Sequence, residues 1–405
     1  MRVLDVFCGV GGLSWGFEEV GWNVVAGLDS WEKAIKVFKN AHPNANVLTK
    51  DVTKLSNQEL LRSVGSVDIV VGGPPCQAFS TVGKRALNDP RAFLVKEFVR
   101  IVKVFRPEVF VFENVKGFTS FSKGLLLYEL LEELTKLGYN LDFDVLNAAN
   151  FSAPQVRERF IVVGSLSKNV TLPRGNYVKR GSFWTFEEMT SDLPEVRAGE
   201  EAKRYASPPK NELQKFYRWK EPEELTLHYA PNYSKKLIEM MKYLKEGTSA
   251  HDVIDQIPPQ YRPTSGYKNT YKRIKSNEPT PTITRNFSVP SSSNCIHPKQ
   301  NRALTPREAA RAQTFTDDFP FEGNKQAVRL MIGNAVPPLL SLGLALRIKS
   351  YYEKPPLEQY QRKPWYELLS VKKLVNPPNE EELWRTNSTT KKKLSNFSAP
   401  LLTGF

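Results

Sequence analysis

The segment Val67-Asp68-Ile69-Val70-Val71-Gly72-Gly73-Pro74-Pro75-Cys76-Gln77 decides the fold of this chain. Its first five residues are typical of a buried strand, and two glycines and two prolines follow directly. Pro75 has a fixed φ and restricts the residue before it, so the Cys76 thiol is held in a defined direction. Because ligands of open α/β sheets bind outside the carboxyl ends of the strands, Cys76 is a candidate nucleophile. Taken alone, the segment is explained equally well as a tight turn with a small apolar residue.

Strand-like and helix-like patterns alternate on both sides of this segment over residues 1–165. The alternation predicts a doubly wound, mostly parallel α/β sheet. The predicted strands are Val3–Phe7, Val24–Asp29, Asn46–Lys50, Val67–Gly72, Val109–Glu113, Leu141–Asn147 and Arg159–Gly164. The predicted helices of this part are Leu13–Val20, Ala34–Asn40, Phe93–Phe105 and Leu125–Leu137.

The pattern becomes irregular over residues 166–300, where basic and aromatic side chains interleave. This part holds 22 Lys and Arg residues against 15 Asp and Glu residues. We therefore expect a second, smaller and irregular domain that faces a polyanion, although an ordinary solvated surface is the alternative.

Helical patterns return at Leu304–Phe315 and at Leu339–Ile348. The first begins with Thr305 as N-cap and has Glu308 three residues later, which is the signature of a capping box. Residues 351–405 form a tail rich in Pro, Lys and Asn, in which we predict short helices at Trp365–Val375 and Glu380–Arg385 and no chemistry.

Composition narrows the class of protein. The chain has 405 residues, a formal net charge of +14 and a pI near 9.4, which suggests nucleic acid as a partner. It has three cysteines without a CxxC pair and four scattered histidines, so we predict neither a disulfide framework nor a metal site. We find no signal peptide and no apolar run that suggests a membrane span. We therefore expect a cytoplasmic protein.

A glycine-rich turn follows the first predicted strand, in Asp5-Val6-Phe7-Cys8-Gly9-Val10-Gly11-Gly12-Leu13. Glycines allow the close backbone approach that a nucleotide-like ligand needs, although Ser14 replaces the last glycine of G-x-G-x-x-G. Asp29 ends the second strand and could bind a ribose diol, and Asp51 follows the third and could meet an adenine amino group. Each aspartate alone is more typical of a helix cap, but together with the turn they outline a nucleoside site.

Two further motifs end strands at the same edge of the sheet. Glu113 would lie in the crevice of Cys76, where burial would raise its pKa and make it a proton donor. The alternative is a glutamate at a helix N-terminus. Arg157 and Arg159 lie on one side of an extended segment and could clamp a base carbonyl or a phosphate, or could form a surface ion-pair ladder.

Together these motifs resemble the DNA (cytosine-5)-methyltransferase family of the prokaryotic restriction–modification type. The resemblance covers roughly residues 1–350, and residues 351–405 have no counterpart in it. It rests on motifs in the same order along the chain: Phe7-Cys8-Gly9-Val10-Gly11-Gly12, Asp29, Asp51, Gly73-Pro74-Pro75-Cys76-Gln77, Glu113-Asn114-Val115, Gln155-Val156-Arg157-Glu158-Arg159, Arg302-Ala303-Leu304-Thr305-Pro306-Arg307-Glu308 and Gly333-Asn334-Ala335-Val336-Pro337.

The resemblance implies a Rossmann-like fold that binds S-adenosyl-L-methionine. It implies a catalytic domain made of residues 1–165 and 301–350, a target-recognition domain at 166–300, and a C-terminal extension of unknown role at 351–405. Since residues 334 and 335 belong to the cofactor pocket, the C-terminal helix should fold back onto the first domain. The implied cofactor-binding residues are Phe7, Gly9, Gly11, Leu13, Asp29, Asp51, Val52, Pro75, Leu94, Asn334 and Ala335.

The resemblance also implies the reaction. Cys76 attacks C6 of a cytosine flipped out of double-stranded DNA, Glu113 protonates or hydrogen-bonds N3, and C5 takes the methyl group. Arg157 would contact the cytosine O2, with Arg159 supporting the site. The implied DNA-binding residues are Ser80, Lys84 and Arg85, in a basic loop that closes over the base, and Thr282, near the target phosphate.

Two other functions stay open at this point. A tRNA-methylating branch of the family shares the Glu-Asn-Val-Lys-Gly-Phe string at Glu113–Phe118 but has a Cys-Phe-Thr triplet that is absent here. A non-catalytic nucleic-acid-binding relative would typically lack the Pro-Cys or Glu-Asn-Val motif. For the favoured DNA methyltransferase we expect a nucleoid-associated monomer, a cognate restriction endonuclease as a possible partner, and no membrane.

Overall fold

A mixed seven-stranded sheet forms the centre of the molecule. The computed structural model describes residues 1–75, 93–264, 266–353 and 357–376. The strands are β1 (Arg2–Val6), β2 (Asn23–Asp29), β3 (Asn46–Thr49), β4 (Ile69–Gly72), β5 (Val109–Val115), β6 (Asn140–Asn147) and β7 (Glu158–Ser165). Their order is β3-β2-β1-β4-β5-β7-β6, and all neighbouring pairs are parallel except the two that involve β7. The predicted doubly wound, mostly parallel sheet is therefore confirmed.

Helices cover both faces of this sheet. The helices are α1 (Gly12–Glu19), α2 (Glu32–Ala41), α3 (Asn57–Val64), α4 (Phe93–Phe105), α5 (Leu125–Lys136), α6 (Phe186–Thr190), α7 (Glu212–Tyr217), α8 (Lys235–Met241), α9 (Pro306–Ala312), α10 (Lys325–Asn334), α11 (Pro338–Tyr352) and α12 (Val371–Val375). Apolar side chains of α1, α2 and α11 pack in the core on one face, and those of α3, α4 and α5 in the core on the other. The central strands β4 and β5 are buried on both sides, as is typical of parallel sheets.

The chain returns to its beginning through α11, as predicted. Gly16 of α1 packs so closely on α11 that a Cβ there would lie 2.2 Å from the backbone nitrogen of Leu342. The Ser341 hydroxyl donates a hydrogen bond to the carbonyl of Leu13. Helix α1 is thus held in place by residues of α11, which lie more than 300 positions later in the sequence.

The predicted helices differ from the observed ones mainly at their ends. The capping box of Thr305 and Glu308 is confirmed, but α9 ends at Ala312 rather than at Phe315. In the tail, helix forms only over Val371–Val375 of the predicted Trp365–Val375, and the predicted Glu380–Arg385 lies outside the described residues.

One stretch of the described chain, Lys325–Tyr352, is long and apolar enough to cross a membrane. It consists of α10 and α11, with a break between them, and most of its apolar window is buried inside the protein. We therefore interpret this stretch as core helices.

Residues 166–300 contain the short helices α6, α7 and α8 and no named strand among the described residues. Apolar side chains of this region belong to the main core both before Tyr217 and later in the chain, at Ile274, Ile283, Phe287 and Cys295. A separate small core is made of Met240, Met241, Leu244, Ala250, Ile257, Tyr271 and Ile296. Residues 166–300 therefore share the main core and also have a small core of their own, and the predicted domain bounds stay a prediction.

Candidate active site

The glycine-rich turn after β1 lies at the carboxyl edge of the sheet. Gly9 and Gly11 have φ values of +53° and +87°, which glycine adopts without strain. Phe7 adopts φ +60°, a left-handed conformation that is uncommon for a residue with a side chain. A Cβ on Gly9 would meet no described atom within 4 Å, so this part of the turn is open to a ligand.

The carboxylate of Asp29 closes the turn from the end of β2. It accepts the Gly9 amide at 2.9 Å and the Trp31 amide at 2.8 Å. Burial raises its pKa, and these backbone hydrogen bonds oppose that effect. Asp29 therefore shapes the turn, and its oxygens retain lone pairs for a further hydrogen bond.

Asp51 acts as a helix cap in this structure. A helix cap is the alternative interpretation of this aspartate in the sequence. Its carboxylate accepts hydrogen bonds from the amide and the hydroxyl of Thr53, at 3.0 and 2.8 Å, and so caps the 3₁₀ turn Val52–Lys54. These hydrogen bonds lower its pKa.

Asp5 belongs to this edge, although it was not among the predicted site residues. The carboxylate is 1% exposed, and neither oxygen has a hydrogen-bond partner among the described residues. Ser14 lies close enough to lower the pKa of Asp5 somewhat, but burial dominates and raises that pKa to about 7. The available signal was an aspartate in an otherwise apolar strand, Val3-Leu4-Asp5-Val6.

These features fit S-adenosylmethionine. The compound carries an ammonium and a sulfonium, and a buried carboxylate without a partner favours a cation beside it. Gly12 supports the turn from behind, because a Cβ there would lie 2.3 Å from the carbonyl oxygen of Val336. Asn334 and Ala335 directly precede Val336 in the chain, and their place in the cofactor pocket stays a prediction.

Glu113 lies in β5, beside the segment Gly73–Pro75 that leads to Cys76. A Cβ on Gly73 would come within 2.7 Å of the Glu113 Oε2, so a side chain there would displace this carboxylate. The Nε of Arg159 lies 2.8 Å from the Glu113 Oε1. Burial raises the pKa of Glu113 above its ordinary 4.5, and this outweighs the opposing charges of Arg159 and Arg157. A buried carboxyl with a raised pKa is suited to donate a proton.

Asn114 holds the same turn in place. Its side-chain amide donates to the carbonyl of Pro74 at 3.3 Å, two residues before Cys76. Cys76 itself, with Ser80, Lys84 and Arg85, lies outside the described residues. Pro75, which precedes Cys76, is exposed, and Leu94, in the first turn of α4, is partly buried.

The two arginines of the Gln-Val-Arg-Glu-Arg motif have different surroundings. Arg157 is buried, and its guanidinium donates to the carbonyls of Ile283, Gly333 and Ala335 at 2.6 to 3.1 Å. Arg159 faces Glu113 instead. Arg159, and not Arg157, therefore pairs with Glu113 in this structure, and the roles of both arginines towards the base stay predictions.

Thr282 lies beside this motif, because its hydroxyl donates to the Val156 carbonyl at 2.8 Å. Both residues line a cleft of about 900 Å³. Its walls also carry exposed or partly exposed polar and aromatic side chains of the irregular region, including Tyr267, Asn269, Lys272, Lys275, Arg285 and Asn286. The cleft therefore extends from the segment just before β7 to the basic, aromatic part of the chain.

Comparisons with known proteins agree with this site. Residues 1–350 match the C-5 cytosine-specific DNA methylase family. The Type II methyltransferase M.DdeI of Desulfomicrobium norvegicum is 35% identical over 379 residues, with 87% of this chain and 89% of that protein covered. The Type II methyltransferase M1.HphI of Haemophilus parahaemolyticus is 35% identical over 351 residues, with 85% and 86% covered.

Solved structures share the fold. An E. coli prophage protein described as a DNA modification methyltransferase has a TM-score of 0.68 at 24% identity, with 87% of this chain and 100% of that chain covered. DNMT2 of Spodoptera frugiperda has a TM-score of 0.56 at 17% identity, with 86% and 99% covered. From its sequence match and its site, the chain belongs to the C-5 cytosine-specific DNA methylases, which transfer the methyl group of S-adenosylmethionine to cytosine C5.

Proposed function

We propose that Cys76, Glu113 and Arg159 methylate one cytosine within a short specific site of double-stranded DNA. The observation that carries this proposal is the buried carboxyl of Glu113, which has a raised pKa and lies against Gly73 in the turn to Cys76. An ordinary surface glutamate would have neither property. The turn thus joins a proton donor to the segment that delivers a nucleophile.

The chemistry follows from the base. Cytosine C5 is a weak nucleophile, so the Cys76 thiolate adds to C6 while Glu113 gives a proton to N3, and C5 becomes enamine-like. S-adenosylmethionine, when bound, supplies the methyl group as an electrophile. A solvent water then takes the C5 proton, the C5–C6 double bond re-forms as the Cys76 thiolate leaves C6, and N3 returns its proton to the Glu113 carboxylate. Arg159 would orient Glu113 and contact the cytosine O2, while Arg157 would support the walls of the pocket.

The cofactor would be held at the carboxyl edge of the sheet. Asp5 fits the positive charge of the cofactor, Asp29 a ribose diol, and Gly9 leaves room for the ligand. Asp51 would reach the adenine only if its cap on Thr53 left an oxygen lone pair free for it. The full proposed set is Asp5, Phe7, Gly9, Gly11, Leu13, Asp29, Asp51, Val52, Pro75, Leu94, Asn334 and Ala335.

Residues 166–300 would recognise the DNA, and residues 1–165 with 301–350 would catalyse. The cleft supports this division, because basic and aromatic side chains of the irregular region line it next to Thr282. Thr282 would then lie near the target phosphate, and Ser80, Lys84 and Arg85 would contact the flipped base or its strand. Base edges in the major groove supply the sequence information.

The biological setting is proposed from the relatives. M.DdeI and M1.HphI are named as Type II methyltransferases, which supports a role in restriction–modification, with a cognate endonuclease for the same site. We propose a monomer that acts in the cytoplasm on nucleoid DNA. The likeness to DNMT2 rests on 17% identity and supports the fold alone. The second substrate to test is tRNA, which the Glu-Asn-Val-Lys-Gly-Phe string at Glu113–Phe118 leaves open.

Bisulfite sequencing of plasmid DNA from expressing cells tests the proposal. Wild type and the control Cys295→Ala should protect cytosine at one short site, whereas Cys76→Ala should protect none. Cys295 is a suitable control because it is buried far from this edge in sequence and has no proposed role. If wild type protects no cytosine in DNA but methylates tRNA, the proposed substrate is wrong.

A further inference from the structure

A row of three hydrogen-bonded side chains lies beneath the glycine-rich turn. The Ser14 Oγ is 3.2 Å from the His42 Nε2, and the His42 Nδ1 is 2.7 Å from the Glu18 Oε2. Ser14 and His42 are buried, whereas the Glu18 side chain is 39% exposed. None of the three has a role in the proposed reaction, and histidine is absent from the rest of the described carboxyl edge.

The row is built against the turn itself. The Ser14 Oγ also lies 3.2 Å from the carbonyl oxygen of Gly11. The ring of His42 packs on Phe38 and fills the space beside Gly11, where a Cβ would lie 2.6 Å from the His42 Nε2. Gly11 therefore meets His42 directly and also through Ser14.

The hydrogen-bond donors and acceptors of the three side chains determine how the row holds the turn. The Glu18 carboxylate can only accept, so the His42 Nδ1 carries a proton and donates it. The Ser14 oxygen lies within hydrogen-bond distance of both the His42 Nε2 and the Gly11 carbonyl, and the same hydroxyl lowers the pKa of Asp5. Ser14 is thus held between His42 and Gly11, and Glu18 fixes the orientation of the ring.

We propose that His42 is a positioning residue for methyl-donor binding, which holds Ser14 and Gly11 so that the turn is preformed for S-adenosylmethionine. The inference rests on the proposed cofactor site. A preformed turn lowers the ordering cost of binding, so the row acts on affinity for the donor and not on the chemical step. A histidine with an exclusively structural role in the core would affect folding and leave donor affinity unchanged.

Calorimetric titration with S-adenosylmethionine and S-adenosylhomocysteine, without DNA, tests the inference. His42→Phe keeps the ring volume and removes both hydrogen bonds, and Ser14→Ala removes only the hydroxyl. We expect each to raise the dissociation constants about 5- to 10-fold, the usual effect of removing one hydrogen bond. The double variant should be no weaker than the weaker single variant, because the two side chains act as one unit.

Thr190→Val is the matched control. It removes only a buried hydroxyl, which donates to the carbonyl of Phe186 in α6 and has no contact with the row or with the proposed donor pocket. We expect donor affinity within about twofold of wild type for this control. At saturating donor, kcat of Ser14→Ala should also stay within about twofold, with the change in KM alone.

Unchanged dissociation constants in both Ser14→Ala and His42→Phe would overturn the inference and leave the methyltransferase proposal intact. So would a lower kcat at unchanged affinity. Ser14→Ala removes a single atom, so it decides the question even if His42→Phe does not fold. A wild-type protein that binds neither compound would overturn both proposals.

Discussion

The Nε of Arg159 lies 2.8 Å from the Oε1 of Glu113, yet the pKa of Glu113 is raised. An arginine at this distance favours the charged carboxylate, whereas burial favours the neutral acid. Burial is the larger effect here because both side chains are only 11% exposed. The pair therefore combines orientation of the carboxyl with a proton that the carboxyl can still give away.

Glu113→Gln tests that proton. The amide cannot serve as an acid, so kcat should fall by about 10²- to 10⁴-fold. In the wild type, kcat should fall as pH rises through the raised pKa of Glu113, and this limb should disappear in the variant. Methyl transfer measured at saturating DNA and donor from pH 5 to 9 gives both results.

The matched control is Glu158→Gln. Glu158 is the first residue of β7 and forms an exposed ion pair with Lys116, which follows the last residue of β5. We expect its pH profile to match that of wild type. An alkaline limb that persists in Glu113→Gln would assign it to another group and contradict the acid role.

We expect substitution of Arg157 to lower stability and substitution of Arg159 to lower the catalytic rate. Arg157→Lys loses the planar fork that reaches three buried carbonyls, so we expect a loss of about 2–4 kcal/mol in the free energy of unfolding. Arg159→Lys keeps the charge but loses the orientation of Glu113, so kcat should fall about 10- to 100-fold with little change in stability. Urea denaturation and single-turnover methylation, measured on both variants, distinguish the two roles. The reverse result would restore Arg157 as the arginine that contacts the base.

Much of this arrangement was accessible from the sequence, and the exceptions have physical reasons. Strand ends, the capping box of Thr305 and the return of α11 follow from local patterns and from the resemblance. Period-2 spacing put Arg157 and Arg159 on one side of a strand, but Arg157 lies just before β7 and meets residues 283, 333 and 335. Contacts so distant in sequence leave no local pattern, and the burial of Asp5 and His42 depends on them in the same way.

Asp5→Asn should stabilise the free protein at high pH. The pKa of Asp5 is raised from 3.8 to about 7, so its contribution to stability is fully present below 3.8 and is lost as pH rises through about 7. Above that pH the wild type contains a buried carboxylate without a partner, a penalty of about 4 kcal/mol for the full shift. The melting temperature of the variant, relative to wild type, should therefore rise between pH 5 and pH 8.

Asp51→Asn is the control with the opposite sign. Its pKa is lowered by Thr53, so its stabilising effect is present above the ordinary pKa and disappears in acid. If S-adenosylmethionine binds beside Asp5, the donor should bind Asp5→Asn more weakly although the free variant is more stable. Equal melting temperatures of wild type and Asp5→Asn at pH 8 would contradict the unpaired carboxylate.

Arg285 tests the cleft as the DNA surface. It is exposed on the cleft wall next to Thr284, so Arg285→Ala should remove one cation that neutralises a DNA phosphate. The slope of log K against log salt should then become shallower by about 0.9. Arg62→Ala, on the exposed side of α3, should leave the slope unchanged. Fluorescence anisotropy with a duplex that contains the methylated site, titrated at several salt concentrations, measures both. If the two variants had identical salt slopes, this wall of the cleft would not be the DNA-binding surface.

Trp365 tests the part of the chain beyond the family match. This side chain is fully buried in the main core, and its indole nitrogen donates to Glu19 of α1 at 3.0 Å. The Leu368 carbonyl accepts hydrogen bonds from the Ser152 hydroxyl and the Lys179 amide, so the segment joins α1 to two other parts of the chain.

Trp365→Ala should therefore lower the free energy of unfolding by about 3–5 kcal/mol, the usual loss for a buried tryptophan. The same substitution at Trp219, which is 48% exposed, should change it by less than about 0.5 kcal/mol. Urea denaturation followed by circular dichroism measures both variants. If the two variants were equally stable, residues 357–376 would be an appendage, whereas the expected difference makes them part of the core that supports α1 and the glycine-rich turn before it.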